Sequence, residues 1–100
     1  MVQGITPTIT MNFANTVDFS EITNMYFTLT QGRHVIKKTG EDVVISGHSV
    51  SVYLSQVDTI KLEVGEAEIQ LNWAYADGSR ACSNIVTIEI SKNLLREVIE

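Results

Sequence analysis

The residue types best suited to metal or nucleophilic chemistry are few and widely spaced in this sequence. His34, His48 and Cys82 are its only histidines and its only cysteine, and each occurs singly. A zinc site draws on several His, Cys or carboxylate ligands at short spacing, and no such element is found. A Cys–His nucleophile pair stays open from residue types alone, but the strand pattern places Cys82 in the core beside Trp73, as an inert apolar group. We expect no metal and no cofactor.

Paired carboxylates occur at Glu41-Asp42 and at Glu66 and Glu68. Glycoside hydrolysis needs two carboxyl groups that flank a cleft. The first pair instead lies in a predicted turn, and the second lies on a predicted solvent face. The sequence has no P-loop, no G-x-G-x-x-G and no G-x-S-x-G elbow, and 100 residues leave little volume for a substrate pocket. We therefore predict that the protein is not an enzyme.

Several polar side chains occur at positions where they could bind either backbone groups or a ligand. Gln56, Asp58 and Thr59 fall in a crossover between strands, and Gln70 falls in mid-strand. We interpret them as partners for backbone groups in the turn and between strands, with ligand binding as the alternative. Trp73 shares its strand parity with apolar neighbours, so we interpret it as a core residue rather than a sugar platform.

The charge balance argues against nucleic acid as a partner. Seven Lys and Arg stand against twelve Asp and Glu, a net charge of −5, whereas phosphate binding needs a basic face. The one basic cluster, Arg33, Lys37 and Lys38, is predicted to be solvated. The first residues lack a secretory pattern, and no apolar run reaches the ~20 residues of a membrane span. We expect no membrane partner and a protein that is kept in, or assembled in, a reducing cytoplasm.

The positions between these residues have the composition of a β protein. Eleven Val, eleven Ile and ten Thr make up about a third of the chain, and β-branched side chains favour sheets over helices. Apolar and polar residues alternate with a period of two, which predicts half-buried strands. The predicted strands are 5–13, 25–30, 33–39, 43–45, 49–54, 66–76 and 79–91.

Two turns predict how strands pair. Gln31-Gly32, taken as a two-residue loop, sets Phe27 opposite Ile36. Asp77-Gly78, taken as a type I′ turn, sets Trp73 opposite Cys82, Ile69 opposite Val86 and Ala67 opposite Ile88. Because the side chains of the last pairs are apolar on one face, the pattern supports this register.

Three segments break the alternation. Residues 55–65 are predicted to form one helical turn capped by Ser55 or Asp58. Residues 17–22 form either an edge strand or a turn. Residues 92–100 are predicted as a short helix whose apolar stripe either docks on its own domain or contacts a partner subunit. The residues of that stripe are Leu94, Leu95, Val98 and Ile99.

The pattern as a whole predicts an all-β fold. Seven to eight short strands with frequent turns indicate an antiparallel immunoglobulin-like β-sandwich, with an open barrel as the competitor. We place the domain at 1–91 and the tail at 92–100.

Several motifs in this order resemble a known group. They are Gly4-Ile5-Thr6-Pro7-Thr8, Leu54-Ser55-Gln56-Val57-Asp58-Thr59, Ile69-Gln70-Leu71, Asp77-Gly78 with Ser83, and Leu95-Arg96-Glu97-Val98-Ile99. The order resembles small proteins encoded in structural-gene clusters of phages and prophages of Gram-positive bacteria. It is also similar to the immunoglobulin-like N-terminal domain of phage baseplate upper proteins. The resemblance implies an architectural role for Gln56, Asp58, Thr59 and Gln70, and no catalytic residues.

These observations lead to two expectations about function. The first is a non-enzymatic structural or adaptor protein of a phage or prophage tail or baseplate, whose partners are copies of itself or other structural proteins. Such a protein is located in the bacterial cytoplasm before assembly and in the virion afterwards. The alternative is a carbohydrate-binding or host-surface-binding module.

Overall fold

The computed structural model of the protein describes residues 1–99, which form two antiparallel sheets around one core. A 3₁₀ turn at Gly40–Asp42 and one helical turn, α1 (Gln56–Thr59), interrupt the strands. The strands are β1 (Thr8–Asn12), β2 (Ile22–Gln31), β3 (His34–Thr39), β4 (Val43–Ser46), β5 (Ser49–Tyr53), β6 (Gly65–Tyr75), β7 (Arg80–Cys82) and β8 (Val86–Ile90).

The strand order is that of an immunoglobulin-like sandwich. One sheet has the order β1-β5-β4, and the other has the order β3-β2-β6, with β7 and β8 paired one after the other along the free side of β6. These orders correspond to B-E-D and C′-C-F-G of the immunoglobulin fold. A parallel bridge between Val2 and Ser91 adds the N-terminal segment beside β8. The predicted sandwich is confirmed, and the open barrel is wrong because the two sheets do not join.

The core lies between the sheets and is built by alternate residues of each strand. Phe27 and Leu29 of β2 are fully buried opposite Leu71 and Ile69 of β6. Val50, from the other sheet, closes the core from the opposite side. Because strand side chains alternate, the same strands present polar residues to solvent.

The loop of the β2–β3 hairpin lies one residue later than predicted, and this shifts the pairing of the strands by two residues. Gln31 pairs with His34, so the loop is Gly32-Arg33 and Phe27 lies opposite Lys38 rather than Ile36. Gly32 has φ +58, a conformation that glycine adopts without the steric cost of a Cβ atom. A shift of two residues leaves every side chain on its predicted face, and so the core prediction survives.

The β6–β7 turn is one residue longer than the predicted type I′ turn. Tyr75 N–H donates to Ser79 O at 2.9 Å, and Gly78 N–H donates to Tyr75 O at 3.0 Å. Three residues, 76–78, therefore form the loop, with Gly78 at φ +90. This is the three-residue hairpin loop that ends in a glycine bulge.

The longer turn moves the next strand by one residue. Trp73 lies opposite Ala81, and Cys82 lies opposite Asn72 on the outer face, where its thiol is exposed. The prediction that Cys82 packs beside Trp73 is therefore wrong. A second irregularity after Cys82 restores the predicted register, so that Ala67 pairs with Ile88.

The tail contains no helix over residues 92–99; Glu100 lies outside the described residues. The predicted C-terminal helix is thus wrong for this stretch. Its backbone groups bond to side chains of the domain: Asn93 N–H donates to Gln3 Oε1 at 3.2 Å, and Ile99 N–H donates to Gln56 Oε1 at 2.9 Å. Residues 17–21 form no strand: 20–21 are a turn, Ile22 begins β2, and Phe19 is buried.

Candidate functional site

The crossover between the sheets brings three of the predicted residues together in α1. Ser55 Oγ accepts from Asp58 N–H at 3.2 Å, while Asp58 Oδ2 accepts from Ser55 N–H at 2.9 Å. This reciprocal capping box satisfies two backbone donors that a helix end leaves free. Lys38 Nζ of β3 lies 2.8 Å from Asp58 Oδ2 and ties the crossover to the larger sheet.

The environment of Asp58 favours its ionised form. Partial burial works to raise the pKa of this carboxyl, but hydrogen bonds from Lys38 and Ser55, together with the Lys38 charge, outweigh burial and hold the pKa below its usual value. Asp58 is therefore a charged structural anchor at neutral pH.

Thr59 joins the crossover to the N-terminal segment. Its Oγ1 donates to Ile5 O at 2.6 Å, and the residue is fully buried. Leu62, three residues later, is also fully buried beneath the crossover. The crossover is thus held in place by its own polar side chains.

All four glutamines of the chain bind backbone groups of distant segments. Gln31 Nε2 donates to Glu63 O at 2.7 Å, and its Oε1 accepts from Glu63 N–H at 2.7 Å. Gln56 does the same with Ile99, through bonds of 3.1 and 2.9 Å. Because one amide carries a donor and an acceptor, it satisfies both the N–H and the C=O of one residue, as a neighbouring strand would.

Gln70 and the Asp77-Gly78 turn belong to a different part of the molecule from α1. Gln70 Nε2 donates to Ser83 O at 3.0 Å, at the irregularity between β7 and β8. Asp77 Oδ1 accepts from Ser79 N–H at 2.8 Å and from Ser79 Oγ at 2.6 Å. The Ser79 hydroxyl and then its backbone N–H hold the pKa of Asp77 below its usual value. Both side chains stabilise the irregular pairing of β6 with its neighbours.

An open groove of about 620 Å³ runs beside the end of β6. Its floor includes Trp73 and Tyr75, and Trp73 Nε1 donates to Tyr75 Oη at 3.0 Å. Trp73 is only 5 % exposed because the rings of Phe13 and Phe19 pack edge-on against it. The groove therefore presents mainly Tyr75, because Trp73 is almost wholly buried.

Carboxylates line the rim of the same groove. They come from Asp18, Glu21 and Asp77. The backbone N–H of Ser20 holds the pKa of Asp18 below its usual value, as Ser79 does for Asp77. The rim thus offers ionised hydrogen-bond acceptors.

The apolar side chains of the tail lie at the surface. Leu94 is 90 % exposed, although Asn93 beside it is anchored by a bond from its Nδ2 to Gln3 O at 2.8 Å. Asn93 and the backbone of Ile99 therefore hold the tail on the domain, while the apolar side chains of the tail are presented to the surroundings. The four exposed residues are Leu94, Leu95, Val98 and Ile99.

The outer face of the β1-β5-β4 sheet carries no charge. Thr10 Oγ1 and Ser51 Oγ lie 3.1 Å apart, and Ser49 Oγ donates to Asn12 Oδ1 at 2.6 Å, so the hydroxyls form a bonded array. In a chain of net charge −5, an uncharged sheet face is a distinct surface. Its residues are Thr8, Thr10, Asn12, Val44, Ser46, Ser49, Ser51 and Tyr53.

Two glutamines that the sequence analysis did not identify, Gln3 and Gln31, bind backbone groups of distant segments. Gln3 is buried, and its Nε2 donates to Leu62 O at 2.7 Å. The sequence pattern predicts only a turn at Gln31. A polar amide at an inward strand position is the signal that would have identified Gln31, whereas Gln3 precedes every strand and carries no such pattern.

Within residues 1–99, no helix is long and apolar enough to cross a membrane. No group of three His, Cys, Asp or Glu side chains in that range lies close enough together to hold a metal ion. A comparison of the chain with protein families, with curated proteins and with solved structures found no match.

Proposed function

We propose that the protein is a non-enzymatic structural or adaptor protein of a phage or prophage tail or baseplate, and that it acts through protein–protein contacts. The observation that carries this proposal is the uncharged outer face of the β1-β5-β4 sheet with its exposed Val44 and Tyr53. Uncharged sheet surfaces and strand edges pair readily with other chains, and most monomeric proteins protect them with charges.

Two further observations support the proposal. The tail presents Leu94, Leu95, Val98 and Ile99 to the surroundings. The crossover residues Gln56, Asp58 and Thr59 bond within the chain, in keeping with the architectural role that the phage resemblance implies. On this proposal the protein is made in the bacterial cytoplasm and becomes part of the virion.

The test is the location of the chain in assembled particles. Particles are induced from the source strain, banded by density and labelled with antibody raised against the full chain. We expect gold label at the tail or baseplate, with antibody pre-absorbed on the pure chain as the control. If the chain stays in the soluble lysate and never bands with particles, the proposal is wrong.

The groove beside Trp73 favours a second candidate, a carbohydrate- or host-surface-binding module. Its volume of about 620 Å³ is in the range of ligand sites, and ionised Asp18 and Asp77 can accept hydrogen bonds from sugar hydroxyls. A glycan array probed with the full chain tests it. Binding that is lost in Tyr75→Ala and kept in Tyr53→Ala supports this function, and an array without signal removes it.

A further inference from the structure

The edges of the two sheets are not equally protected against pairing with another chain. β3 carries Lys37 and Lys38, and lysines on an edge strand discourage added strands. β7 carries Arg80 and ends at the irregularity near Ser83. β8 is covered, because Ser91 N–H donates to Met1 O at 2.7 Å and Gln3 N–H donates to Ser91 O at 3.0 Å. Both edges of the larger sheet are thus protected against the addition of a strand from another chain.

β4, an edge of the smaller sheet, has none of these devices. Its four residues, Val-Val-Ile-Ser, include no charge, no proline and no bulge. Val44 is 58 % exposed and Ile45 is 36 % exposed. β1, the opposite edge, is also free of charge, but its exposed side chains are threonines and Asn12, which water solvates well. β4 is therefore the edge with most to gain from a partner.

The backbone of β4 shows which groups a partner would meet. Ser46 pairs with Ser49 across the Gly47-His48 loop, so the alternating pattern of antiparallel strands directs the groups of Ser46 and Val44 toward β5. The groups of Val43 and Ile45 point away from the sheet. Val43 N–H donates to Gly40 O. Among residues 1–99, no backbone partner is found for Val43 C=O or for the N–H and C=O of Ile45.

We propose that β4 pairs antiparallel with β4 of a second copy of this chain, about a two-fold axis at Val44. This rests on the proposed function and names the surface and the partner. In this register Ile45 N–H of each copy donates to Val43 C=O of the other, which satisfies these two groups. Ile45 C=O faces Val43 N–H of the other copy, which already donates to Gly40 O. The two exposed Val44 side chains meet at the axis. The result is one continuous six-stranded sheet with the order β1-β5-β4-β4-β5-β1.

Charge favours a second copy in this orientation. Glu41 and Asp42 precede β4, whereas the uncharged Ser46 and Gly47 end it. Antiparallel pairing centred on Val44 places Asp42 of one copy beside Ser46 of the other, so like charges stay apart. Parallel pairing would stack the two aspartates. Because the paired segment is only four residues long, we expect a weak dimer that forms at high local concentration.

The first experiment removes the donor at the edge. Sedimentation velocity of the full chain, from ~10 μM to ~1 mM, measures the dimer dissociation constant. Ile45→Pro removes an N–H that its own sheet does not use, and edge strands tolerate proline. We expect a roughly thirtyfold weaker dimer, from two lost hydrogen bonds, and little change in Ile45→Val. Circular dichroism checks that the variants are folded. If Ile45→Pro does not fold, Val44→Lys replaces it in the experiment. Thr10→Lys on β1 is then the matched control, and we expect only Val44→Lys to weaken the dimer.

The second experiment tests the register by oxidation, in a Cys82→Ser background. Two Val44 residues at the axis form a pair without hydrogen bonds, with Cα atoms ~4.5 Å apart, which suits a disulfide. We expect Val44→Cys to give covalent dimers and Ser46→Cys, which would lie opposite Asp42, to give few. A wild-type chain that is monomeric at ~1 mM overturns the proposal, as does equal cross-linking of both variants. Either result leaves the particle-labelling test of the proposed function unaffected.

Discussion

Gln3 is the residue whose replacement should reveal most about how this small sandwich is held together. Its side chain is buried and links three segments, since Nε2 donates to Leu62 O at 2.7 Å and Oε1 accepts from Asn93 N–H at 3.2 Å. Met has a similar length and shape, so Gln3→Met removes the amide with little change in packing.

The loss of stability in Gln3→Met follows from the two backbone groups that lose their partner, Leu62 O and Asn93 N–H. Each lost hydrogen bond is worth ~1 kcal/mol, and Leu62 O also becomes a buried acceptor without a partner, which adds ~1 kcal/mol or more. We therefore expect Gln3→Met to lower the free energy of unfolding by about 3 kcal/mol. For a domain of this size, that corresponds to a melting temperature lower by roughly 12–24 °C.

Thermal and urea unfolding followed by circular dichroism measure this effect. Gln70→Met is the matched control, because Gln70 makes one bond, to Ser83 O, and is only half-buried. We expect the control to lose about 1 kcal/mol. If the melting temperature of Gln3→Met lies within a few degrees of wild type, or equals that of the control, the buried amide of Gln3 does not stabilise the fold as argued.

Three further predictions concern a charge, a thiol and a turn. Because the folded pKa of Asp58 lies below its usual value of 3.8, its stabilising effect is complete above that value and is lost as the pH falls through the folded pKa. Wild type should therefore exceed Asp58→Asn in urea stability at pH 7, and the gap should close in acid; a gap that is unchanged in acid contradicts this. Exposed Cys82 should react stoichiometrically with a thiol reagent in the native state, and no reaction without denaturant would place it in the core. Gly78→Ala should cost ~1 kcal/mol because φ is +90 there, whereas Ser79→Ala, a loss of one exposed hydroxyl bond, should cost less; equal melting temperatures would argue against a strained turn.

The side-chain amides of the glutamines bind segments of the chain that lie outside the strands. Gln31 and Gln56 each complete both backbone groups of a residue that lies in no strand, Glu63 and Ile99 respectively. Such residues would otherwise need water or a neighbouring strand. At Glu63 and Ile99, glutamine side chains therefore supply the hydrogen bonds that a neighbouring strand would otherwise supply.

Side-chain periodicity predicted the faces of the strands well. Phe27 and Leu29 were expected on one face and are both fully buried. A helical turn capped by Ser55 or Asp58 was also predicted, and Ser55 is the cap; a side-chain oxygen just before free backbone donors is a local signal. These features depend only on neighbours in the chain.

Turn lengths were predicted less well, and the error had consequences. A two-residue loop at Asp77-Gly78 and a three-residue loop use the same residues, but they differ by one residue in register. That single residue decides whether Cys82 lies in the core or on the surface. Both loops place glycine at a positive φ, so the local sequence is compatible with either.

The sequence by itself therefore determined an all-β fold and the inward faces of its main strands, because burial by parity needs no knowledge of partners. Only the tertiary structure decided the register of β7 and the path of the tail. It also decided which edge is left open, because these depend on bonds between segments far apart in the chain. The bond between Gln56 and Ile99 spans 43 residues, and no local pattern encodes it.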